Sequence, residues 1–348
     1  MAKVSRFNGF NIFTPDQQES AESRQRGEYA ELRNREFLDK FTIPGKPPIP
    51  ISGTFIYAHA PDYGGCVTLD WHQEEWEKLF AGFQEKNLDT AIFQAAVWKE
   101  LEECYYPSKY FGNFRCWQVI PEMLKAAEKY GIKVYLGGYG STTGWDPGFN
   151  RETAEKEFAA QSGCLQELSR YADDFAGIYL APETAFFGNA PGEREKHLNY
   201  LYRKYFTWIN ENLPGKEIII SPCSKYYPDS AEKFVNFWDT VWQDVENAIL
   251  APQDSVGSRC CTLPDQPEMW DCWKIVAQHH RMKLWADIEL FARIGGIDPD
   301  SALAAPAERV AAQLTHAAAA VEKCVCWEYP YFAGNVQGGK ELSKWLFQ

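Results

Sequence analysis

Eight short runs rich in β-branched and aromatic residues alternate with longer amphipathic stretches from Ile51 to the C-terminus. The runs cover residues 51–59, 90–97, 133–140, 176–183, 217–223, 248–253, 283–289 and 323–329. Each is short enough for a strand and is followed by a segment long enough for a helix. The predicted helices span 70–85, 118–130, 151–171, 193–212, 230–245, 266–280 and 306–322, with 341–347 closing the series. The 70–85 segment carries Trp71, Trp76 and Phe80 on one broad apolar face. Strand then helix, eight times over, predicts a parallel sheet that closes as a (β/α)8 barrel of the α/β class. A doubly wound open sheet is the rival. It commonly opens with a glycine-rich first turn, whereas the first run here leads into Ala58-His-Ala-Pro-Asp-Tyr-Gly-Gly65 with no GxGxxG.

Residues 1–50 read as an extension outside this repeat, with a polar helix over 17–40 and a stiff Lys46-Pro-Pro-Ile-Pro entry into the barrel of 51–348. The formal charge of −13 argues against nucleic acid and anionic membrane as partners, because both reward a basic surface. The ten cysteines lack zinc-ribbon spacing, and the N-terminus lacks an apolar leader. The thiols therefore read as mostly free in a reducing cytoplasm. Loss of a leader ahead of Met1 would leave a secreted origin open. Oligomeric state is open as well.

In such barrels chemistry sits at the C-terminal strand ends. Strand 1 ends in Tyr57 and His59, strand 2 in Gln94 and Trp98, and strand 3 in Tyr139, with Trp145 in the loop beyond. Strand 4 ends in Glu183. Strand 5 gives Ser221, followed by Lys225 and Tyr226, and strand 6 gives Gln253 and Asp254. Strand 7 carries Trp285, Asp287 and Glu289, and strand 8 carries Trp327 and Glu328.

Glycoside hydrolysis needs two carboxyl groups, one to protonate the leaving oxygen and one to attack the anomeric carbon or activate water. Glu183, between Pro182 and Thr184-Ala-Phe-Phe, has an apolar setting that would raise its pKa and suit it to donate a proton. Glu289 shares its strand face with Asp287 and Trp285, because alternate residues point the same way, and Asp287 should lie one layer deeper. Gln253 and Asp254 supply polar groups for sugar hydroxyls, and Asp254 serves equally well as a loop anchor through Asx-type bonds. Trp98, Trp145, Trp285 and Trp327 are candidate sugar platforms, with Tyr57, His59, Gln94, Tyr139, Tyr226, Asp287 and Glu328 as further binding residues. A metal site of His59 with Glu183, Asp254 and Glu289 has only one histidine. No metal and no cofactor is expected. Glycine pairs after strands 7 and 8, Gly295-Gly296 and Gly338-Gly339, keep a phosphosugar in view.

The strand-4 Glu183, strand-7 Glu289 and strand-8 Trp327 resemble the superfamily of retaining (β/α)8 glycoside hydrolases. The chain looks more closely like a domain-of-unknown-function family of glycosidase-like barrels, through Ile51-Ser-Gly-Thr-Phe, Tyr106-Pro-Ser, Gly131-Ile-Lys-Val-Tyr-Leu-Gly, Gln253-Asp-Ser-Val-Gly257 and Trp285-Ala-Asp-Ile-Glu289-Leu-Phe. The resemblance implies a carbohydrate substrate, Glu183 as acid/base and Glu289 as nucleophile. The chain departs from that pattern at Pro182, where such enzymes usually carry an Asn that binds the sugar 2-hydroxyl. Gln253 or Asn335 would have to take that role, or the chemistry differs. The expected function is therefore glycoside hydrolysis with retention. The alternatives are a carbohydrate-binding barrel without catalysis and a metal-dependent sugar isomerase or lyase.

Overall fold

The computed structural model describes residues 21–58, 67–293, 302–334 and 338–348. Eight parallel strands close into one barrel: β1 (Ile51–Tyr57), β2 (Thr90–Gln94), β3 (Lys133–Gly137), β4 (Gly177–Leu180), β5 (Glu217–Ile220), β6 (Ile249–Leu250), β7 (Lys283–Glu289) and β8 (Lys323–Trp327). The helices between them are α2 (Gln73–Glu85), α3 (Ile120–Tyr130), α4 (Arg151–Leu168), α5 (Glu193–Asn212), α6 (Ala231–Val241), α7 (Gln266–His279) and α8 (Ala307–Ala318). They follow α1 (Ala21–Leu38) and precede the short α9 (Tyr329–Phe332) and the closing α10 (Gly339–Leu346).

Except at β7, whose bounds match, the expected strands ran longer than the ladders. Beyond β4, β5 and β6 the chain still tracks the barrel wall, but as single bridges: Ala185 to Cys223, Cys223 to Gln253, and Gln253 to Asp287 of β7. This opening of the ladder frees backbone at the strand tips and lets the polar side chains there face one another.

The barrel lumen is filled rather than hollow. Tyr135 of β3 meets Trp285 of β7 edge to face at 6.2 Å, and Phe55 of β1 meets Tyr179 of β4 at 5.2 Å. These contacts fix which strand residues point inward, and by alternation Asp287 and Glu289 follow Trp285 toward the lumen. Charges close the N-terminal end, with Lys283 paired to Glu217 at 2.7 Å and Lys323 to Asp89 at 2.6 Å. Many tryptophans that would be surplus on the surface are instead core. Trp238 stacks on Trp242 at 5.4 Å and packs on Trp273 at 4.9 Å between α6 and α7.

Outside the barrel, α1 lies against the segment after β6 and against α8. Asn34 accepts the Leu263 N–H at 2.7 Å, Arg259 pairs with Glu31, and Phe37 packs edge-on to His316 at 5.4 Å. Two accessory sheets were not anticipated. One joins Arg115–Cys116, Glu103–Cys104, Val97–Trp98 and Tyr139–Gly140 beyond the ends of β2 and β3; the other pairs Phe291–Arg293 with Ala302–Ala304 beyond β7. Among the described residues no helix is long and apolar enough to cross a membrane.

Candidate active site

Glu183 lies three residues beyond the end of β4, on backbone held from two sides. Thr184 accepts the Cys223 N–H at 3.1 Å and donates its hydroxyl to Gly144 O at 2.9 Å. Arg194 donates to that same Gly144 carbonyl and to the Thr184 hydroxyl, clamping the loop after β3 onto the strand-4 tip. Gly144 is needed there, because a Cβ would come within 2.1 Å of Glu183 O. The Glu183 side chain is half-buried, and burial pushes its carboxyl up to about 7 against the stabilising hydrogen bond from Gln253.

Asp287 and Glu289 rise from β7 at successive inward positions, in register with Val325 and Trp327 of β8. Asp287 is therefore one layer deeper. It is 1% exposed and accepts the Ser221 hydroxyl on Oδ2 at 3.2 Å, while its buried Oδ1 has no hydrogen-bond partner among the described residues. Burial and then the charges of Glu289 and Asp254 hold its carboxyl well above the usual range, opposed by the Ser221 bond and reinforced by Glu183. Asp287 thus lies within electrostatic reach of both Glu183 and Glu289.

Glu289 is 3% exposed and accepts the Ser258 N–H on Oε2 at 2.7 Å. Gly257 makes this approach feasible, since a Cβ there would lie 2.9 Å from the same oxygen. Burial and the neighbouring Asp254 push the Glu289 carboxyl up to about 8. The Ser258 N–H and the Arg309 guanidinium pull the other way.

Behind this strand, α8 supplies a buried polar brace. Arg309 donates to Glu289 O at 2.9 Å, and Gln313 donates to Glu289 O at 3.2 Å and to Asp254 Oδ2. Asp254 Oδ1 in turn accepts the Val256 and Glu289 N–H groups at 3.3 and 3.4 Å. Of the two roles open to Asp254, this is the geometry of the anchor, facing α8 rather than the lumen. Burial pushes its carboxyl up to about 6. Gln253, one residue earlier, faces the other way, donates to Ser221 O at 3.4 Å and lies close enough to Glu183 to hold its pKa down.

The remaining predicted residues divide by position. Trp327 is half-buried, donates its indole N–H to Gln94 Oε1 at 2.8 Å and packs on Phe291 and Phe332. Glu328 accepts the Tyr57 N–H at 2.8 Å, and burial pushes its carboxyl up to about 8. Tyr57 packs on Trp98 at 5.6 Å, and both are buried. Tyr139 stacks on Phe111 at 5.7 Å and is also buried. Trp285 lies at the lumen floor beneath Asp287, with Lys323 over its ring at 5.0 Å. Tyr226 is not brought to the carboxylates. Its ring packs on Phe234 of α6 and its hydroxyl donates to Glu268 of α7 at 2.7 Å, so it belongs to the helix layer. His59, Asn335 and the Gly295-Gly296 pair lie outside the described residues. Trp145, like Trp327, is half-buried. Among the described residues no cluster of three or more His, Cys, Asp or Glu side chains could hold a metal ion.

Ser258, Arg194, Arg309 and Gln313 were missed from the sequence. Arg309 and Gln313 had a signal, being polar residues one turn apart within Arg309-Val-Ala-Ala-Gln-Leu314, an otherwise apolar stretch.

Residues 51–336 match the model of the family described as Domain of unknown function (DUF4434). The comparison with curated proteins gives no match. Among solved structures, a "putative alpha-L-fucosidase" from Bacteroides thetaiotaomicron superposes with a TM-score of 0.68 at 19% identity, covering 88% of this chain and 97% of that one. A xylanase from Paenibacillus barcinonensis aligns with a TM-score of 0.47 at 12% identity, over 81% of this chain and 88% of the other. The first of these likenesses shows a shared fold.

Proposed function

We propose that this chain, which belongs to the family DUF4434, hydrolyses or transfers a glycosidic bond with retention of anomeric configuration. The observation that carries the reading is the placement of Glu183 and Glu289 at the tips of β4 and β7 with Asp287 in reach of both. A carbohydrate bound over Asp287 would meet one carboxyl from each side of the barrel.

In this reading Glu183 protonates the departing oxygen and later takes a proton from water. Glu289 attacks the anomeric carbon and forms the covalent intermediate. Burial holds both carboxyls near or above neutrality, so Glu289 needs help to ionise. The Ser258 N–H supplies part of it. The positive charge that develops on the sugar ring in the transition state supplies more, because an opposite charge at close range favours the carboxylate.

Pro182 leaves no hydrogen-bonding side chain ahead of Glu183 to bind the 2-hydroxyl. Gln253, close beside Glu183, takes that place, and the open Oδ1 of Asp287 accepts a second hydroxyl. The half-buried Trp327 and Trp145 offer ring faces to the sugar. Tyr57, Gln94, Trp98 and Glu328 hold Trp327 and the neighbouring wall in place rather than contacting sugar.

The test is a panel of aryl glycosides and oligosaccharides assayed for aglycone and reducing-end release, run with wild type, Glu183→Gln and Glu289→Gln. Turnover by wild type that both variants lose, with unchanged melting temperature, supports the proposal. Turnover that survives Glu289→Gln rejects it. A carbohydrate-binding barrel without catalysis is the second reading, favoured by Pro182. Calorimetry showing sugar affinity in wild type, with no product from any substrate, would establish it.

A further inference from the structure

The loop after β2 folds back as two short strands that lie side by side, Glu103–Cys104 and Arg115–Cys116. They pair in parallel, with Glu103 opposite Arg115 and Cys104 opposite Cys116. The N–H of Arg115 bonds to Glu102 O and that of Trp117 to Cys104 O, both at 2.8 Å, so this register is held on both sides of the cysteine pair. Side chains at matched positions of neighbouring strands share a face. Glu103 and Arg115 use one face for an ion pair, which leaves the two thiols together on the other.

Neighbouring strands lie about 4.8 Å apart, within the roughly 4.4–6.8 Å Cα spacing that a disulfide spans without backbone movement. The Cys116 thiol lies close enough to Cys104 to help raise its pKa. Cys104 also donates to Tyr106 O at 3.3 Å and Cys116 to Phe114 O at 3.6 Å. Cys104 is buried and Cys116 exposed. We infer that Cys104 and Cys116 are a built disulfide site that closes on contact with a small disulfide oxidant and staples the loop over residues 105–115.

The exposed Cys116 begins the reaction, because burial pushes the Cys104 thiol up to about 12 and leaves little thiolate there. With oxidised glutathione, the Cys116 thiolate attacks one glutathione sulfur and forms a mixed disulfide, releasing the other half as glutathione thiolate. Cys104 then gives up its proton and attacks the Cys116 sulfur, releasing the second glutathione. Two protein thiols are oxidised by two electrons, and one glutathione disulfide is reduced to two thiols. The closed loop contains Phe111, whose ring stacks on Tyr139 at the strand-3 tip, so the staple would fix one wall beside the candidate site.

The experiment treats the whole protein with oxidised glutathione, alkylates remaining thiols, and digests with trypsin without reduction. The expected product joins the peptides covering 100–109 and 116–125, at the summed mass less two hydrogens. It should come with a rise in melting temperature of about 3 °C, the size expected for a short closed loop in a chain this long. In Cys116→Ser, an exposed and conservative change, the cross-linked species and the rise both vanish. Cys116 recovered only as its glutathione adduct, Cys104 joined to a different cysteine, or a cross-link in Cys116→Ser that still raises the melting temperature would each overturn the inference.

Discussion

Ser258 donates its backbone N–H to Glu289 Oε2 at 2.7 Å, and this is the hydrogen bond that most favours a charge on the strand-7 carboxyl. The contact depends on Gly257, because a Cβ there would lie 2.6 Å from Phe291 O and 2.9 Å from Glu289 Oε2. Gly257→Ala should push the segment off Glu289, lower kcat by about tenfold or more, and cost about 1–3 kcal/mol through overpacking. Gly82→Ala is the control, because a Cβ on α2 there meets nothing within 4 Å. It should be neutral or stabilise by up to about 1 kcal/mol. Equal kcat for wild type and Gly257→Ala would show that the Ser258 contact has no part in turnover.

The pH profile follows from the two raised carboxyls. Glu183 is pushed up to about 7 and Glu289 to about 8. Activity needs Glu289 charged and Glu183 protonated, the less populated of the two singly protonated forms when Glu183 is the more acidic, and kcat/KM still rises as the pair loses its first proton and falls as it loses the second. The expected bell is centred between pH 7 and 8. An optimum near pH 5, with activity already lost at 7, would mean that burial does not govern these groups in the working enzyme.

Glu183→Gln removes the proton donor and should slow substrates with poor leaving groups by roughly 10² to 10⁴. Dinitrophenyl glycosides leave without protonation, so their first step should change by less than about tenfold. Steady-state rates across a series of aryl leaving groups measure this. A uniform loss across the series would remove Glu183 from the role of acid.

Glu328 predicts a stability effect separable from catalysis. Burial moves its carboxyl from 4.5 to about 8 in the folded chain. Below pH 4.5 both folded and unfolded states hold the proton. Between 4.5 and about 8 only the folded state does, so this group's contribution to stability is lost progressively as pH rises, at about 1.4 kcal/mol per pH unit. Glu328→Gln keeps an acceptor for the Tyr57 N–H but has no proton to lose. Urea unfolding from pH 5 to 8 should show a shallower slope for the variant by about one proton. Parallel slopes would place the Glu328 pKa near its ordinary value.

The barrel was legible because eight short β-branched and aromatic runs recur with amphipathic helices between them, and the placement of Glu183 and Glu289 at the ends of β4 and β7 was legible from the ends of those runs. The limits are equally physical. Two-residue strands such as Glu103–Cys104 have no period to detect, so the accessory sheet went unseen. Tyr226 is close to the β5 tip in sequence, but the chain turns at Lys225, whose N–H bonds back to Cys223 O, and carries the ring out to α6 and α7. Asp254 could not be assigned between two roles until α8 was seen to bring Gln313 against it.

The most direct test of the central claim is covalent trapping. A 2-deoxy-2-fluoro glycoside of whichever sugar is turned over slows release of the intermediate, and the labelled protein is digested and sequenced by tandem mass spectrometry. The peptide covering 284–293 contains both Asp287 and Glu289, and fragment ions separate them. The account predicts one glycosyl group on Glu289. A label on Asp287 or Glu183, or continued turnover with no label at all, would contradict it.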